Sequence, residues 1–378
     1  NTISLTGGEL NITSTLTITG GGVITVSGNN LSRIFNIGSS GVVTLTGLTI
    51  RDGYVTGNGG AILNDGKVTI AASTVVSNAA FLNGGGVYSS GSGRVVQITD
   101  GSRVQENRVI STTTFGGGVY NASASLLIVD ASFILSNTAG AGENSGGAGG
   151  IANNGSSSVV SITNGSLIQH NRADYGGGIH NYFGKVAIDA STVATNTAWF
   201  FGGGIYVFGS TGILTIANGS LVADNLASNS DGGGIRNTAG GQVIIDASTI
   251  ASNTARSGGG IINSDSNSRV LITNGSSIVA NRANSVGGGI TNGSGSVTLS
   301  ASSVVSNSAT GASSDGGGIY NTGSGSVISM TNSSLVQSNS ARRNGGGLYN
   351  ASSGVVTLAA SSVVSNSANS DGGGIYNT

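Results

Sequence analysis

The residues that could perform acid–base or metal chemistry are few and scattered. The densest group is His170, Arg172, Asp174 and His180, in which histidines and a carboxylate could hold zinc or move protons. The two histidines fall on different segments of a sequence repeat, so one shared metal ion is not expected. We therefore interpret the group as surface residues, and we predict no catalytic residue, no metal site and no cofactor.

A second candidate is a row of acidic and amide residues, each two positions before a recurring serine. Adjacent turns of a stacked β structure lie about 4.8 Å apart. Alternation of aspartate and asparagine would keep like charges about 10 Å apart, close to the Debye length, and that spacing is too wide for one calcium ion. We interpret the row as a means of limiting charge repulsion, with Asp100 beside Asp130 as an exception. The row is Asp130, Asn164, Asp189, Asn218, Asp246 and Asn274.

Large aromatic residues form the third candidate, because many gather in segments whose length and sequence vary between repeats. Aromatic surfaces can bind sugar rings or a protein partner. The alternative is that these side chains only cover the surface of the fold. The candidate ligand-binding residues are Phe81, Phe115, Tyr175, Tyr182, Phe183, Trp199, Phe200, Phe201, Tyr206 and Phe208.

These candidates must be positioned by a repeat whose clearest copy is Gly-Gly-Gly-Ile-Tyr-Asn at residues 316–321. The triad recurs twelve times, with starts 25 to 32 residues apart. A period in this range is typical of a solenoid. Each glycine in a regular segment costs roughly 0.5–1 kcal/mol relative to alanine, so we expect the backbone geometry to require them. No triad is followed by Gly-Lys-Ser/Thr, which argues against a phosphate-binding loop.

Each repeat contains three strand-like segments. The first follows the glycine triad and runs Ile/Val/Leu, a variable residue that is often tyrosine, then asparagine; Ser89 and Val207 are the exceptions at the third position. The second alternates apolar-x-apolar, and the third runs Ser-x-Val/Ile-x-x-Asn. Such alternation predicts β-strands with the varied residues outside and the asparagines inside.

Stacked on one another, the inward asparagines are expected to form hydrogen-bonded ladders along the solenoid axis. The predicted ladder residues are Asn64, Asn121, Asn153, Asn181, Asn237, Asn263, Asn292, Asn321, Asn350 and Asn377 after the triads, and Asn78, Asn137, Asn253, Asn307 and Asn366 in the third segment.

The corner between the second and third segments is alternately short and one residue longer, so the true repeating unit is two coils. Asp189-Ala190-Ser191 is a short corner, and residues 217–220 form a long one. Three long corners also match the glycosylation sequon, Asn164-Gly165-Ser166 among them, although a tight turn explains Asn-Gly equally well.

The predicted fold is all-β, a single-stranded parallel β-helix solenoid of about 14 coils with three short strands per coil. We expect residues 1–58 to form irregular N-terminal coils and residues 59–378 to form the regular repeats of one continuous solenoid domain. Helical repeats are not favoured because the 3.6-residue period is missing.

The order Val/Ile-x-x-Asn-x-Ala, a loop, then Gly-Gly-Gly-Ile resembles the repeats of polymorphic outer-membrane proteins, a family of autotransporter passengers. Ile250, Asn253 and Ala255 before Gly258 and Ile261 show this order. The chain uses Val or Ile where that family has phenylalanine. The resemblance implies a right-handed β-helix and a secreted or surface-displayed protein; bacterial surface β-helix repeat protein is the broader description.

Composition narrows the choice of partners. Charged residues make up 8% of the chain, the net charge is −1, and cysteine and proline are missing. Near-neutral charge argues against nucleic acid as a partner. No run of about 18 apolar residues is present, so we expect no membrane insertion by this segment. We predict an extracellular or bacterial cell-surface location.

The function predicted from these features is that of a non-catalytic structural or adhesive rod. Its expected ligand is a carbohydrate or a cell-surface protein. The regular strands at both ends of the sequence also suggest end-to-end self-association into a filament. The alternative is a carbohydrate-active enzyme, most simply a polysaccharide lyase, which would require a dense groove of carboxylates with an Arg or Lys base.

Overall fold

The structure is a computed structural model and describes residues 1–140 and 146–378. The chain divides into two compact units, Asn1–Asn196 (unit 1) and Thr197–Thr378 (unit 2). The described residues contain no helix, and their parallel strands stack as a β-solenoid of about 13 turns, with three strand-bearing faces per turn. The predicted fold class is therefore confirmed, with about one turn fewer than expected.

Three parallel sheets form the faces of each unit. Sheet I contains both the apolar-x-apolar segment and the Ser-x-Val/Ile segment of each repeat. Its strands in unit 1 are Thr2–Ser4, Thr15–Ser27, Val42–Arg51, Lys67–Ala71, Thr74–Val76, Val95–Thr99, Arg103–Gln105, Leu126–Asp130, Phe133–Leu135, Val159–Thr163, Leu167–Gln169, Lys185–Asp189 and Thr192–Ala194. In unit 2 they are Ile213–Ala217, Leu221–Ala223, Gln242–Asp246, Thr249–Ala251, Arg269–Thr273, Ser277–Val279, Ser296–Ser300, Ser303–Val305, Val327–Thr331, Leu335–Gln337, Val355–Leu358 and Ser362–Val364.

Sheet II holds the strands that follow the glycine triads, together with two earlier strands that precede the first triad. Its strands in unit 1 are Leu10–Ile12, Phe35–Ile37, Ile62–Asn64, Val87–Ser90, Val119–Ala122, Ile151–Asn154 and Ile179–Tyr182. In unit 2 they are Ile205–Phe208, Ile235–Thr238, Ile261–Ser264, Ile290–Gly293, Ile319–Thr322, Leu348–Asn350 and Ile375–Asn377.

Sheet III consists of strands of two to five residues that follow the asparagine of the third segment or, for Tyr54–Val55, follow Gly53. Alternation cannot be recognised over two residues, so the sequence did not predict these strands. In unit 1 they are Tyr54–Val55, Ala79–Ala80, Arg108–Val109, Thr138–Ala139 and Arg172–Tyr175. In unit 2 they are Thr197–Phe201, Leu226–Ala227, Thr254–Ala255, Arg282–Ala283, Ser308–Ala309, Ser340–Ala341 and Ser367–Ala368.

Residues 1–58 are built on the same plan as the later coils. Strand Thr15–Ser27 pairs in parallel with Val42–Arg51, which in turn pairs with the first regular repeat at Lys67–Ala71. The pairing of these two long strands shifts register between Thr19 and Ile24. This shift in register is a local change within the solenoid architecture.

The core is a column of branched apolar side chains from alternate strand positions. Val304 is fully buried and lies in register between Ile278 and Val336. β-Branched residues suit this position because their restricted rotamers pack well on a pleated sheet. The predicted burial of the Ser-x-Val/Ile position is confirmed at Val304 and at its in-register neighbours.

The glycine triads occupy the place where sheets II and III meet, and each member is constrained differently. Gly316 has φ +64°, a conformation that side chains rarely adopt. A Cβ on Gly317 would lie 2.3 Å from the Ser340 carbonyl oxygen of sheet III, and one on Gly318 would lie 2.6 Å from the Gly347 carbonyl oxygen of the next coil. The expectation of close backbone approach is therefore confirmed.

The predicted corner between the second and third segments is a local turn within sheet I, with both flanking strands in the same sheet. A short corner contains one left-handed residue, such as Ala190 at φ +44°. A long corner contains two, such as Asn218 at +57° and Gly219 at +75°. Two successive positive φ values favour Asn-Gly, which explains these dipeptides.

Candidate functional site

The asparagines of the Ser-x-Val/Ile-x-x-Asn segment form a continuous hydrogen-bonded row inside each unit. Nδ2 of Asn253 donates to Oδ1 of Asn281 (3.0 Å) and to the carbonyl oxygen of Val222 (2.9 Å). The backbone N–H of Asn253 donates to the same Oδ1 (2.9 Å). The row in unit 1 comprises Asn78, Asn107, Asn137, Asn171 and Asn196, and that in unit 2 comprises Asn225, Asn253, Asn281, Asn307, Asn339 and Asn366.

A second row follows the glycine triads. Nδ2 of Asn292 donates to Oδ1 of Asn321 at 2.8 Å and to the carbonyl oxygen of Gly295 at 2.9 Å. At Ser89 the row continues, because Nδ2 of Asn64 donates to the serine hydroxyl at 3.1 Å. The row links Asn121, Asn153 and Asn181 in unit 1, and Asn237, Asn263, Asn292, Asn321, Asn350 and Asn377 in unit 2. The predicted asparagine ladders are confirmed.

Val207 interrupts the second row at its start in unit 2. Val207 is the in-register neighbour of Asn237, and its apolar side chain cannot donate a hydrogen bond. Oδ1 of Asn237 is buried and has no hydrogen-bond partner. A buried acceptor without a partner costs about 1–3 kcal/mol, so this position is a local weakness of the ladder.

The serines that open the third segment form a row that the sequence did not predict. The backbone N–H of Ser73 donates to Oγ of Ser102 in the next coil (3.0 Å), while Ser102 Oγ donates to the Thr99 carbonyl oxygen (2.6 Å). In a short corner the hydroxyl reaches two residues back, as Ser73 does to Ala71; in a long corner it reaches three. A serine ends every corner, short or long. This constant position is the sequence signal that could have predicted the serine row.

Hydrogen bonds join the alternating aspartate and asparagine residues beside this row. In unit 1, Oδ1 of Asp130 accepts from Nδ2 of Asn164 (2.5 Å) and from the Thr163 hydroxyl (2.6 Å). In unit 2, Oδ1 of Asp246 accepts from the Thr273 hydroxyl at 2.9 Å and from Asn274. Each of these carboxylates thus accepts hydrogen bonds from neutral donors of the following coil.

Some of the aromatic candidates of unit 1 lie close together. Phe115 lies 5.6 Å from His180 between ring centroids, His180 lies 5.9 Å from Tyr182, and Tyr182 lies 4.7 Å from Phe183. We call these four residues the unit 1 aromatic group. A Cβ on Gly147 would lie 2.5 Å from Nδ1 of His180 and 2.8 Å from Phe115, so this glycine makes room for the contact.

His180 is the titratable member of this group. It stands at the outward position of sheet II, yet neighbouring side chains bury it. Burial lowers its pKa from 6.5 to about 3, because the charged imidazolium loses its hydration. The imidazole is therefore neutral near pH 7 and packs as an aromatic ring.

Aromatic candidates of unit 2 also lie close together. Phe200, Phe201, Tyr206 and Phe208, which we call the unit 2 aromatic group, have neighbouring ring centroids 6.1–6.3 Å apart. Their planes are inclined by 47–71°, so the rings do not form one flat platform. The guanidinium carbon of Arg236 lies 3.9 Å from the Phe201 ring centroid.

An ion pair borders the unit 2 aromatic group. Arg236 lies 3.6 Å from the Asp231 carboxylate, and Arg256 lies 3.4 Å from it. Arg256 is well exposed, whereas Asp231 and Arg236 are mostly covered. Tyr206 is buried, whereas Phe200, Phe201 and Phe208 are partly exposed. Partly exposed rings bordered by hydrogen-bonding charges are the kind of surface that binds a polar ligand with apolar faces, such as a sugar.

The remaining aromatic candidates lie apart from these groups or in unexpected elements. Phe81 is exposed and follows the sheet III strand Ala79–Ala80. Tyr175 and Trp199 lie within the longer sheet III strands Arg172–Tyr175 and Thr197–Phe201, rather than in loops. One of the segments that vary in length between repeats, residues 138–147, includes residues 141–145, which lie outside the described residues.

The structure does not gather the acid–base candidates into one site. His170 is exposed at a left-handed turn, Arg172 and Asp174 lie in a sheet III strand, and His180 lies in sheet II. In the described part of the chain, no group of three or more His, Cys, Asp or Glu residues is arranged to hold a metal ion.

The outer face of sheet I in unit 1 carries an apolar patch that was not predicted from the sequence. Leu126, Ile128, Phe133 and Leu135 occupy outward positions and are half-buried. The guanidinium carbon of Arg103 lies 5.2 Å from the Phe133 ring centroid. The signal was present in the sequence, because the run Leu126–Val129 is apolar at every position and breaks the alternation.

Two open concavities lie in unit 1. One, of about 360 Å³, is lined by Glu106, Arg108 and Thr138 among others, and another, of about 340 Å³, surrounds Arg33 and Tyr54. Arg33 in the second is held by Glu9 at 2.5 Å and by the Gly59 carbonyl oxygen at 2.9 Å. None of the predicted aromatic residues lines either concavity.

Comparison with known proteins returns no match to a protein family, a curated protein or a solved structure. Among the described residues there is also no helix that could span a membrane. The architecture and the asparagine rows agree with a β-helix repeat protein.

Proposed function

We propose that the protein is a non-catalytic extracellular scaffold that adheres to a carbohydrate or to a cell-surface protein. The observation that carries the proposal is that inward and outward residues of each coil have different roles. The recurrent polar residues hydrogen-bond to their own equivalents in the interior, as Asn253 does to Asn281. Outward positions differ from coil to coil, and there the partly exposed aromatic groups occur.

The resemblance to polymorphic outer-membrane and autotransporter repeats supports an extracellular location at the bacterial surface. Low charge and an interior of neutral amide rows also suit a protein that must stay folded across changes in salt, where ion pairs are screened. End-to-end self-association of the protein also stays a prediction.

The unit 2 aromatic group is the surface that we assign to adhesion. Apolar ring faces can pack on the C–H face of a sugar or on a protein side chain, while Arg256 and Asp231 supply hydrogen bonds at the edge. The outward aromatic residue Phe133 of sheet I, which also lies beside an arginine, offers a matched control.

The test measures binding of the purified protein to an array of bacterial and host glycans and to immobilised host cells. We expect binding by the unchanged protein, a large loss with Phe200→Ala and Phe208→Ala combined, and little change with Phe133→Ala. Equal loss in both variants, or no binding to any surface, would contradict the assignment.

The enzymatic alternative needs a separate assay. Incubation with pectin, alginate and glycosaminoglycans, with and without calcium, is expected to release no unsaturated or reducing ends. Turnover that disappears with Arg172→Ala or Asp174→Asn would overturn the non-catalytic proposal.

A further inference from the structure

Tyrosines of sheet II stack on one another wherever consecutive coils both carry tyrosine at the outward position. Tyr88 and Tyr120 are in-register partners, with ring centroids 5.1 Å apart and planes inclined by 1°. Tyr320 and Tyr349 are 5.0 Å apart at 14°, and Tyr349 and Tyr376 are 5.2 Å apart at 22°. Among the described residues, sheet II thus carries a stacked pair in unit 1 and a stacked triple in unit 2.

The stacks follow from parallel in-register pairing. Identical residues on adjacent parallel strands lie directly beside each other, and the small angles between their ring planes place the rings face to face. All five rings are half-buried, so sheet II restrains them while part of each ring stays open to solvent. Tyr54 differs, because its in-register neighbour in sheet III is Ala79.

We propose that these stacks are sites of oxidative cross-linking, at which a haem peroxidase with hydrogen peroxide joins Tyr88 to Tyr120 and Tyr349 to Tyr320 or Tyr376. Each phenol gives up one electron and one proton and becomes a phenoxyl radical. Two radicals join by a carbon–carbon bond between ring carbons ortho to the hydroxyls, and the two ring protons move to the oxygens. The sum is two tyrosines and hydrogen peroxide giving dityrosine and two waters.

Two features of the structure favour coupling within the stacks. The reacting rings are already parallel and adjacent, so little orientational freedom is lost on the way to the bond. Phenol chemistry is also retained at neutral pH: burial raises the pKa of Tyr120, and burial followed by the nearby Asp315 carboxylate raises that of Tyr349. These two phenols therefore hold the proton that leaves with the electron.

The product would be a covalent link between neighbouring coils. Such a link restricts the unfolded chain as a disulfide does, and this chain has no cysteine to form one. Oxidation is therefore expected to raise the urea midpoint of unfolding.

The sequence makes the experiment easy to interpret by mass spectrometry. The dilute native protein is treated with haem peroxidase and hydrogen peroxide, then digested with trypsin. Tyr88 falls in the peptide of residues 68–94 and Tyr120 in that of residues 109–172, so their cross-link joins two peptides. Tyr349 and Tyr376 share the peptide of residues 344–378, whose coupling removes two hydrogens from one mass.

We expect these cross-links within monomeric protein, and their loss when the protein is unfolded in urea before oxidation. Tyr120→Phe keeps the ring stack but removes the phenol, so it should abolish the first cross-link and leave the second. Tyr54→Phe should change neither. Cross-links that involve Tyr54 as often as the stacked tyrosines, or that persist equally in the unfolded chain, would overturn the proposal.

Discussion

Single side chains decide where the interior hydrogen-bond rows are complete. An asparagine in the ladder donates to both the next amide and a backbone carbonyl, and its Oδ1 accepts from the preceding coil, so no buried polar atom is left over. At Val207 the donor is missing, and Oδ1 of Asn237 has no hydrogen-bond partner. The energetic consequence can be measured by restoring the amide.

Val207→Asn is predicted to stabilise the protein by about 1–2 kcal/mol, because its Nδ2 can donate to the orphaned Oδ1 of Asn237. Urea-induced unfolding followed by circular dichroism gives the free energy. Val207→Asp is the matched control, since it has the same shape but places a buried carboxylate against that oxygen and should destabilise. Similar stabilities for the two variants would contradict the ladder interpretation.

His180 is predicted to make the protein less stable as the pH falls. Its pKa is about 3 in the folded state and 6.5 in the unfolded state, so below pH 6.5 the unfolded state binds a proton that the folded state does not. The free energy of unfolding should then decrease by up to about 1.4 kcal/mol per pH unit until pH 3 is approached.

His180→Tyr tests this contribution, because tyrosine occupies the equivalent position at Tyr88 and Tyr120. The difference in free energy of unfolding between variant and unchanged protein should grow in favour of the variant from pH 6.5 downward and be constant above it. A difference independent of pH would show that the folded state accepts the proton.

At the scale of strands and turns, the coil is shaped by the approach of sheets II and III. Gly317 shows how close this approach is, because backbone atoms of sheet III and of the next coil both lie within 2.5 Å of where its Cβ would be. Side chains cannot separate the two sheets at this edge. The inward residue of the sheet III strand is accordingly small, as with Ala309 and Ala341.

Gly317→Ala is predicted to destabilise unit 2 by about 3 kcal/mol, because the added methyl group can be accommodated only by moving backbone. Gly293→Ala is the control: nothing lies within 4 Å of its Cβ position and its φ is not left-handed. That change should be neutral or stabilise by up to about 1 kcal/mol. Thermal and urea unfolding of both variants would distinguish close approach from a general sensitivity to losing glycine.

At the scale of the whole molecule, stability is expected to depend on neutral contacts between neighbouring coils. The described residues contain few ion pairs, such as Arg33 with Glu9 in unit 1 and Arg343 with Asp315 in unit 2. In repeat arrays, stability is close to a sum of terms within repeats and between adjacent ones. Here those terms are apolar packing and amide or hydroxyl hydrogen bonds.

Raising sodium chloride from about 0.1 M to about 1 M shortens the Debye length from about 10 Å to about 3 Å. We predict that the free energy of unfolding changes by less than about 1 kcal/mol over this range, since exposed ion pairs contribute little each. Urea titrations at both salt concentrations measure it. A larger loss of stability would point to long-range charge interactions that the hydrogen-bonded rows do not provide.

The sequence alone determined the fold class, the interior residues and both asparagine rows. This was possible because a solenoid is repetitive in one dimension: the neighbours of Asn292 or Val304 are their own equivalents one repeat away, so sequence spacing gives the contacts. Two-residue alternation then separates inward from outward positions within each strand-like segment.

Only the tertiary structure decided to which sheet each segment of a coil belongs. The second and third segments share sheet I because left-handed residues such as Ala190 make a turn within the sheet, and φ angles are not evident from alternation. The contacts within the aromatic groups are likewise evident only from the arrangement of the segments in space. Phe115 meets His180 because Gly147 leaves space between them. The two residues stand at different positions of the repeat, so the repeat spacing does not specify their contact.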